Sequence, residues 1–261
     1  MNRLIINADD FGLTKSCTEA IFKAMSEGII TDTTMVANGE AFELGVKLSK
    51  EPVMAEKIGI HFNLTEGRPL TDEMSSCGRI VCDGKFLGRA ANIKKLVLNS
   101  KEKIAIEKEL RTQAKRISDS DIKIVHADSH HHVHNGPFIG RIVFKICDEF
   151  TIRKIRIHRN LGNINNLKRM LKNILSKKIR QRGFATTDFF GGGEDYCNIQ
   201  IREKDTVYEL MVHPDFDKDG NLIDRTEIVE GNPVGPKLEE VCKTAWEKID
   251  GKLSKYSYSE L

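Results

Sequence analysis

Apolar and polar positions follow two rhythms along the 261-residue chain, and the rhythms take turns. Period-two runs rich in β-branched residues predict strands at Arg3–Ala8, Thr33–Ala37, Ile58–Leu64, Ile122–Ala127, Lys154–His158, Thr187–Phe190 and Thr206–Val212. Between them, apolar residues recur at helical spacing over Thr18–Glu27, Ala41–Lys50, Glu102–Ile117 and from Pro137 to Phe150. Gly28 is the stop signal of the first helix, and Pro236 opens a last one over Lys237–Ile249. Glu66–Lys85, with its Gly, Pro, Ser and Asp residues, breaks the rhythm and predicts an irregular insertion. A loop that long on a compact domain often serves as a functional lid.

Repeated strand–helix units predict a parallel sheet with helices outside it. Seven or so strands in this length predict an α/β fold, a distorted or incomplete (β/α) barrel, in one domain spanning residues 1–261. An open doubly wound sheet is the alternative. Either way the C-terminal tips of the strands converge on one face, where such folds carry their active sites.

Composition narrows the function. Hydrophobic residues make up 39% and charged residues 30%, as in an ordinary soluble protein. A net charge of +3 gives no case for a nucleic-acid partner. The basic stretch Lys168–Arg182 has apolar residues at helical spacing and predicts an amphipathic helix with a solvated basic face. The apolar run at the start is too short for a signal peptide or a membrane span, and no other segment approaches spanning length. Six cysteines without a Cys-x-x-Cys pair are expected to be reduced and structural. The expected compartment is the cytoplasm, with no membrane partner.

The histidines are not spread evenly. Of eight, five fall within His126-Ala-Asp-Ser-His-His-His-Val-His134, directly after a predicted strand. An expression tag would sit at a terminus instead. Three further motifs occupy strand tips: Asn7-Ala-Asp9-Asp10-Phe-Gly12, Gly59-Ile-His61-Phe-Asn63 and Glu209-Leu-Met-Val-His213-Pro214. Taken singly, each has a plain structural reading. Paired aspartates can cap a helix, and a strand histidine is more often a satisfied, partly buried side chain than a ligand. Together they predict a divalent metal site, because one carboxylate and two neutral imidazoles fill half a coordination shell and leave room for water and substrate.

These motifs, with Thr31-Asp-Thr-Thr34…Asn38 and Leu64-Thr-Glu-Gly67, resemble the YdjC-like carbohydrate deacetylases, a family that includes chitooligosaccharide (diacetylchitobiose) deacetylases. The similarity runs in order from residue 3 to about residue 215. It is weak over Gly220–Leu253, and Tyr256-Ser-Tyr-Ser-Glu-Leu261 again resembles the family's ending. The resemblance implies a distorted, polysaccharide-deacetylase-like barrel and a divalent metal, often magnesium. Two imidazoles also suit zinc or another transition ion. It implies hydrolysis of the N-acetyl group of an amino sugar or chitooligosaccharide, releasing acetate, and a homodimer. Carried over by position, His61 and His130 are metal ligands. By analogy with related polysaccharide deacetylases, Asp10 is the third ligand and Asp9 the base, although neighbours on a strand point opposite ways unless the chain turns. His213 is the acid that protonates the departing amine. Asp128 and His132 are expected to orient a ligand imidazole, His131 and His134 to point away, and His126 to lie inside its strand.

Two other readings compete. A metal-dependent phosphoesterase would use similar ligands but needs a basic clamp, which Arg156 and Arg159 could provide. A non-catalytic sugar-binding protein would need neither Asp9 nor His213.

Overall fold

In the computed structural model, residues 1–88, 93, 97–162, 164–197, 204–249 and 251–261 are described. Strand β1 (Asn2–Phe11) is buried along its whole length except for half-buried Arg3. A strand covered on both faces belongs at the centre of a parallel sheet, and β1 sits there. It pairs in parallel with β2 (Asp32–Met35) on one side and β8 (Val207–Val212) on the other. The sheet continues outward through β3 (Ile58–Phe62) to β6 (Ala127–Ser129), and through β8 to β7 (Phe189–Gly192). A seventh strand, β13 (Leu253–Lys255), joins the start of β1. Single parallel bridges, Ala127 to Ile155 and Lys154 to Ala185, carry the pairing from β6 toward β7. The result is the expected distorted barrel, with ladders around only part of its circumference.

Two expected strands are shorter than their patterns. Of Ile122–Ala127 only Ala127 enters β6, and of Lys154–His158 only Lys154 and Ile155 form bridges. Val125 still donates to the Ile58 carbonyl, and Ile60 to that of His126. Alternation of side chains marks extended backbone, and an extended segment bonded at isolated points alternates just as a ladder does. Close packing contributes here. A Cβ on Gly59 would lie 2.7 Å from the His126 ring, so only glycine lets the two segments approach.

Helices α1 (Lys15–Ser26), α2 (Phe42–Leu48), α4 (Ser100–Ser118), α5 (Pro137–Glu149) and α8 (Leu238–Lys248) lie where the periodicity puts them. Their starts have local causes. Thr14 caps α1, Asn99 and Glu102 form a reciprocal capping box on α4, and Pro137 opens α5. The Glu66–Lys85 insertion is more ordered than its composition predicts. It holds α3 (Asp72–Ser75) and a small antiparallel pair, β4 (Val81–Cys82) with β5 (Lys85–Phe86).

The basic stretch forms α6 (Asn166–Gln181), but in an unexpected orientation. Leu167, Met170, Leu171, Ile174 and Leu175 are 41–62% exposed, while Ser176 and Ile179 are buried. The apolar stripe as well as the basic residues faces solvent. After α7 (Gly193–Cys197) and β8, two antiparallel hairpins that the sequence pattern did not predict follow. They are β9 (Pro214–Phe216) with β10 (Leu222–Asp224), and β11 (Glu227–Val229) with β12 (Asn232–Val234). No helix among the described residues is long and apolar enough to cross a membrane.

Candidate metal centre and active site

Two adjacent aspartates reach one cleft because β1 is irregular where they sit. The pairing of β1 with β2 shifts register between Ala8 and Phe11, and Asp10 adopts a left-handed φ of 76°. A bulge of this kind re-aims side chains that a regular strand would send to opposite faces. Both carboxylates line the cleft at the strand tips, and they have different partners.

Asp10 faces the histidines. Its Oδ1 is 2.8 Å from His130 Nδ1 and 3.4 Å from His61 Nε2, and the two imidazole nitrogens are 3.3 Å apart. All three residues are buried, and Oδ1 accepts no well-directed hydrogen bond despite these neighbours. One carboxylate oxygen and two ring nitrogens converging in a buried pocket fit a divalent cation. Each ring is held from its far side by a carboxylate. His61 Nδ1–H donates to Asp128 Oδ1 at 2.6 Å, and His130 Nε2–H donates to Glu66 Oε2 at 2.9 Å. Carboxylates in that position fix the tautomer of a ligand histidine and raise its basicity. Burial alone would lower the His130 pKa, but Asp10 and Glu66 raise it to about 10. Burial opposes ionisation of Asp10 too, yet the two histidines hold its carboxyl well below the usual range. The cluster attracts positive charge.

Asp9 faces Arg156. The guanidinium donates from Nη1 to Asp9 Oδ2 and from Nη2 to Asp9 Oδ1, both at 2.7 Å, and Asn7 adds a bond to Oδ1 at 2.9 Å. Arg156 is fully buried and also pairs with Asp128 at 2.5 Å and Glu209 at 2.7 Å. Burial pushes the Asp9 carboxyl up, but Arg156 and His61 outweigh it and keep the pKa below the ordinary value. Asp9 is therefore a fixed anion. Arg156 does not fit the phosphate clamp that the sequence allowed, because it is fully buried and each of its three nitrogens already faces a carboxylate. Arg159, at the cleft rim, is likewise engaged by Asp195 at 2.5 Å and Glu194 at 2.8 Å.

The remaining predicted residues divide. His213 lines the cleft with its side chain 31% exposed, and its backbone N–H donates to Asp224 Oδ1 at 2.7 Å. His131 does not point away, as expected from sequence. Its left-handed backbone (φ 51°) turns it onto the cleft wall, where Nδ1 meets Thr65 Oγ1 at 3.0 Å. His132 packs its ring edge-on against Phe190 and His134. His134 turns inward to Ser129, and His126 is buried with Nε2 on Asn7 Oδ1 at 3.0 Å. Sequence reasoning missed Glu66, Asp224 and Arg225, whose Nη2 donates to Asp10 Oδ2 at 2.9 Å. Glu66 lies in a quoted motif without an assigned role, and Arg225 lies in the segment least similar to the family. The cleft measures about 640 Å³, within the roughly 300–1,000 Å³ of small-molecule sites.

A family model described as YdjC-like protein matches residues 3–241. The chain is 38% identical over 151 residues to a carbohydrate deacetylase of Brevibacillus brevis, covering 58% of this chain and 57% of that one. It is 35% identical over 150 residues to a carbohydrate deacetylase of Oceanobacillus iheyensis, covering 58% and 63%. It thus spans less than two thirds of the length of these curated relatives. A crystal structure from Enterococcus faecalis V583, described as a cellobiose-phosphate cleavage protein, superposes with a TM-score of 0.70 at 20% identity, over 99% of this chain and 98% of that one. That likeness concerns the fold.

Proposed function

The chain belongs to the YdjC-like protein family, and we propose that it is a metal-dependent carbohydrate N-deacetylase. Its substrate would be an N-acetylated amino sugar or chitooligosaccharide, and acetate the product. The observation that carries this reading is the convergence of Asp10, His61 and His130 on one point of a cleft that Asp9 and His213 also line. The carbohydrate deacetylases among its relatives support the substrate class.

Asp10, His61 and His130 would hold the ion, with Asp128 and Glu66 fixing the two rings. A bound divalent ion supplies Lewis acidity, polarising an amide carbonyl and lowering the pKa of water. Magnesium is proposed from the family, and the imidazole pair leaves zinc and other transition ions to be tested alongside it. Asp9 takes the proton of the attacking water. Arg156 makes it a weak base in bulk terms but fixes its position, which a short-lived proton transfer needs. His213, tethered through Asp224, gives a proton to the departing amine. Acetate and the free amino sugar leave.

We also propose a homodimer. The exposed stripe of α6 is bordered by Lys168, Lys177 and Lys178, while β11–β12 exposes Ile228, Val229 and Val234 beside Glu227 and Glu230. Exposed apolar faces of this kind support self-association, and in a two-fold dimer each copy contributes the same surface. The six free cysteines support a cytoplasmic assignment. The experiment for the activity is an acetate-release screen over N-acetylated mono- and oligosaccharides with Mg²⁺, Mn²⁺, Co²⁺ and Zn²⁺. Phosphate release from sugar phosphates is followed in parallel. Acetate release supports the reading; phosphate release alone would replace it with the phosphoesterase.

A further inference from the structure

The chain's last residues reach the active-site network from the opposite end of the barrel. After β13, Tyr256 N–H donates to the Leu4 carbonyl, and Ser257 Oγ and Tyr258 N–H both donate to Asp32 Oδ1, at 2.8 and 3.0 Å. Lys154 Nζ holds the Tyr258 carbonyl at 2.5 Å. These bonds seat the Tyr258 side chain inside the barrel, where it is fully buried.

Two routes lead from that side chain to Asp9. The hydroxyl donates to Glu209 Oε2 at 2.6 Å. Glu209 Oε1 accepts from Arg156 Nε at 2.7 Å, and the same guanidinium grips Asp9 with both terminal nitrogens. The ring stacks on His126 with centroids 3.8 Å apart and planes 8° from parallel. His126 Nε2 lies 3.0 Å from Asn7 Oδ1, and the Asn7 amide donates to Asp9 Oδ1. Glu209 offers two oxygens to strong donors, and Tyr258 supplies one of them. Without that hydroxyl Glu209 Oε2 keeps only the longer bond from Thr187 Oγ1, at 3.5 Å, and the carboxylate that anchors Arg156 Nε is held less firmly.

We propose that Tyr258 is a positioning residue of the active site: the C-terminal tail sets Arg156, and through it Asp9, in its working orientation. The inference rests on the reading of Asp9 as the proton acceptor. Tyr258→Phe removes the hydroxyl and keeps the ring on His126. Ser257→Ala is the control, because it loosens the tail at Asp32 without touching Glu209.

The readout that needs neither metal nor substrate is hydrogen exchange at the Arg156 Nε–H, followed by NMR in the metal-free protein. Tyr258→Phe should speed that exchange about tenfold, while Ser257→Ala lowers the melting temperature and leaves it unchanged. On an N-acetylated sugar, Tyr258→Phe should lose about tenfold in kcat with KM within about twofold, since Asp9 acts in the transition state and not in substrate binding. Wild-type Arg156 exchange and kcat in Tyr258→Phe would overturn the proposal. Equal losses in Ser257→Ala would also overturn it, by making the effect one of general stability. If Arg156 exchange responds while the wild-type protein releases no acetate, positioning stands and the deacetylase reading falls.

Discussion

Replacing Asp32 by asparagine should flatten part of the protein's pH–stability profile. Asp32 opens β2, is fully buried, and accepts from Ser257 and Tyr258 through Oδ1, while its Oδ2 has no partner. Burial pushes its pKa from the ordinary 3.8 up to about 7, against the pull of its hydrogen bonds. In the unfolded chain the carboxyl ionises near 3.8, so from about pH 4 to pH 7 the folded state holds a proton that the unfolded state has released. Stability from this group therefore falls as pH rises through that window, and then levels off. Integrating the linkage gives a cost of roughly 1.5–2 kcal/mol at pH 5 and about 4 kcal/mol at pH 8. Asparagine keeps an Oδ1 acceptor for both donors and carries no charge. Relative to wild type, Asp32→Asn should gain about 2–3 kcal/mol between pH 5 and pH 8. Urea unfolding at matched ionic strength measures both chains, and the difference between them cancels every other titrating group. A difference constant with pH, or one that shrinks as pH rises, would refute the assignment of a protonated Asp32.

Other consequences reach the site itself. Glu66→Gln keeps the shape of the His130 partner and removes its charge, so metal affinity measured by calorimetry should fall about 10- to 100-fold with the fold intact; unchanged affinity removes Glu66 from that role. His213→Ala should retain metal and lose roughly 10²–10⁴-fold in amide turnover, while an acetyl ester of lower leaving-group pKa is partly spared. Equal losses on amide and ester would take His213 out of the acid role. Ile174→Glu on α6 should shift sedimentation equilibrium from dimer to monomer, and a wild-type chain that sediments as a monomer at every concentration contradicts the dimer.

Much of this was legible in the sequence, for reasons that differ by residue. Strand tips, helix starts and the placement of His61 and His130 follow from local periodicity, which is written into adjacent residues. The placement of Asp9 and Asp10 at one cleft is not local, because it depends on a left-handed Asp10 and a register shift against β2. Asp is enriched several-fold in that conformation, yet most aspartates do not adopt it, so the motif alone does not say which of the two turns. The partners of Arg156 are likewise not written in its own neighbourhood. A charge between two isoleucines of an extended segment points to the face opposite theirs, and here that face is the buried interior, where an arginine needs carboxylate partners. Arg156 collects three of them from β1, β6 and β8, which only the assembled barrel brings together. The late hairpins went unpredicted, although Asp217-Lys-Asp-Gly220 forms the turn of the first of them. What they pack against lies in distant segments, as where Arg225 reaches back to Asp10.

The central claim is that Asp10, His61 and His130 hold a divalent ion on which sugar deacetylation depends. The most direct measurement is metal content per chain by elemental analysis, after dialysis against each candidate ion, for wild type, His61→Ala, His130→Ala and Asp9→Asn, with acetate release followed on the same samples. One ion per wild-type chain is expected, with none in either histidine variant, full occupancy in Asp9→Asn, and acetate release from the wild type alone. Full occupancy in a histidine variant, or acetate release from a metal-stripped wild-type protein, would contradict it.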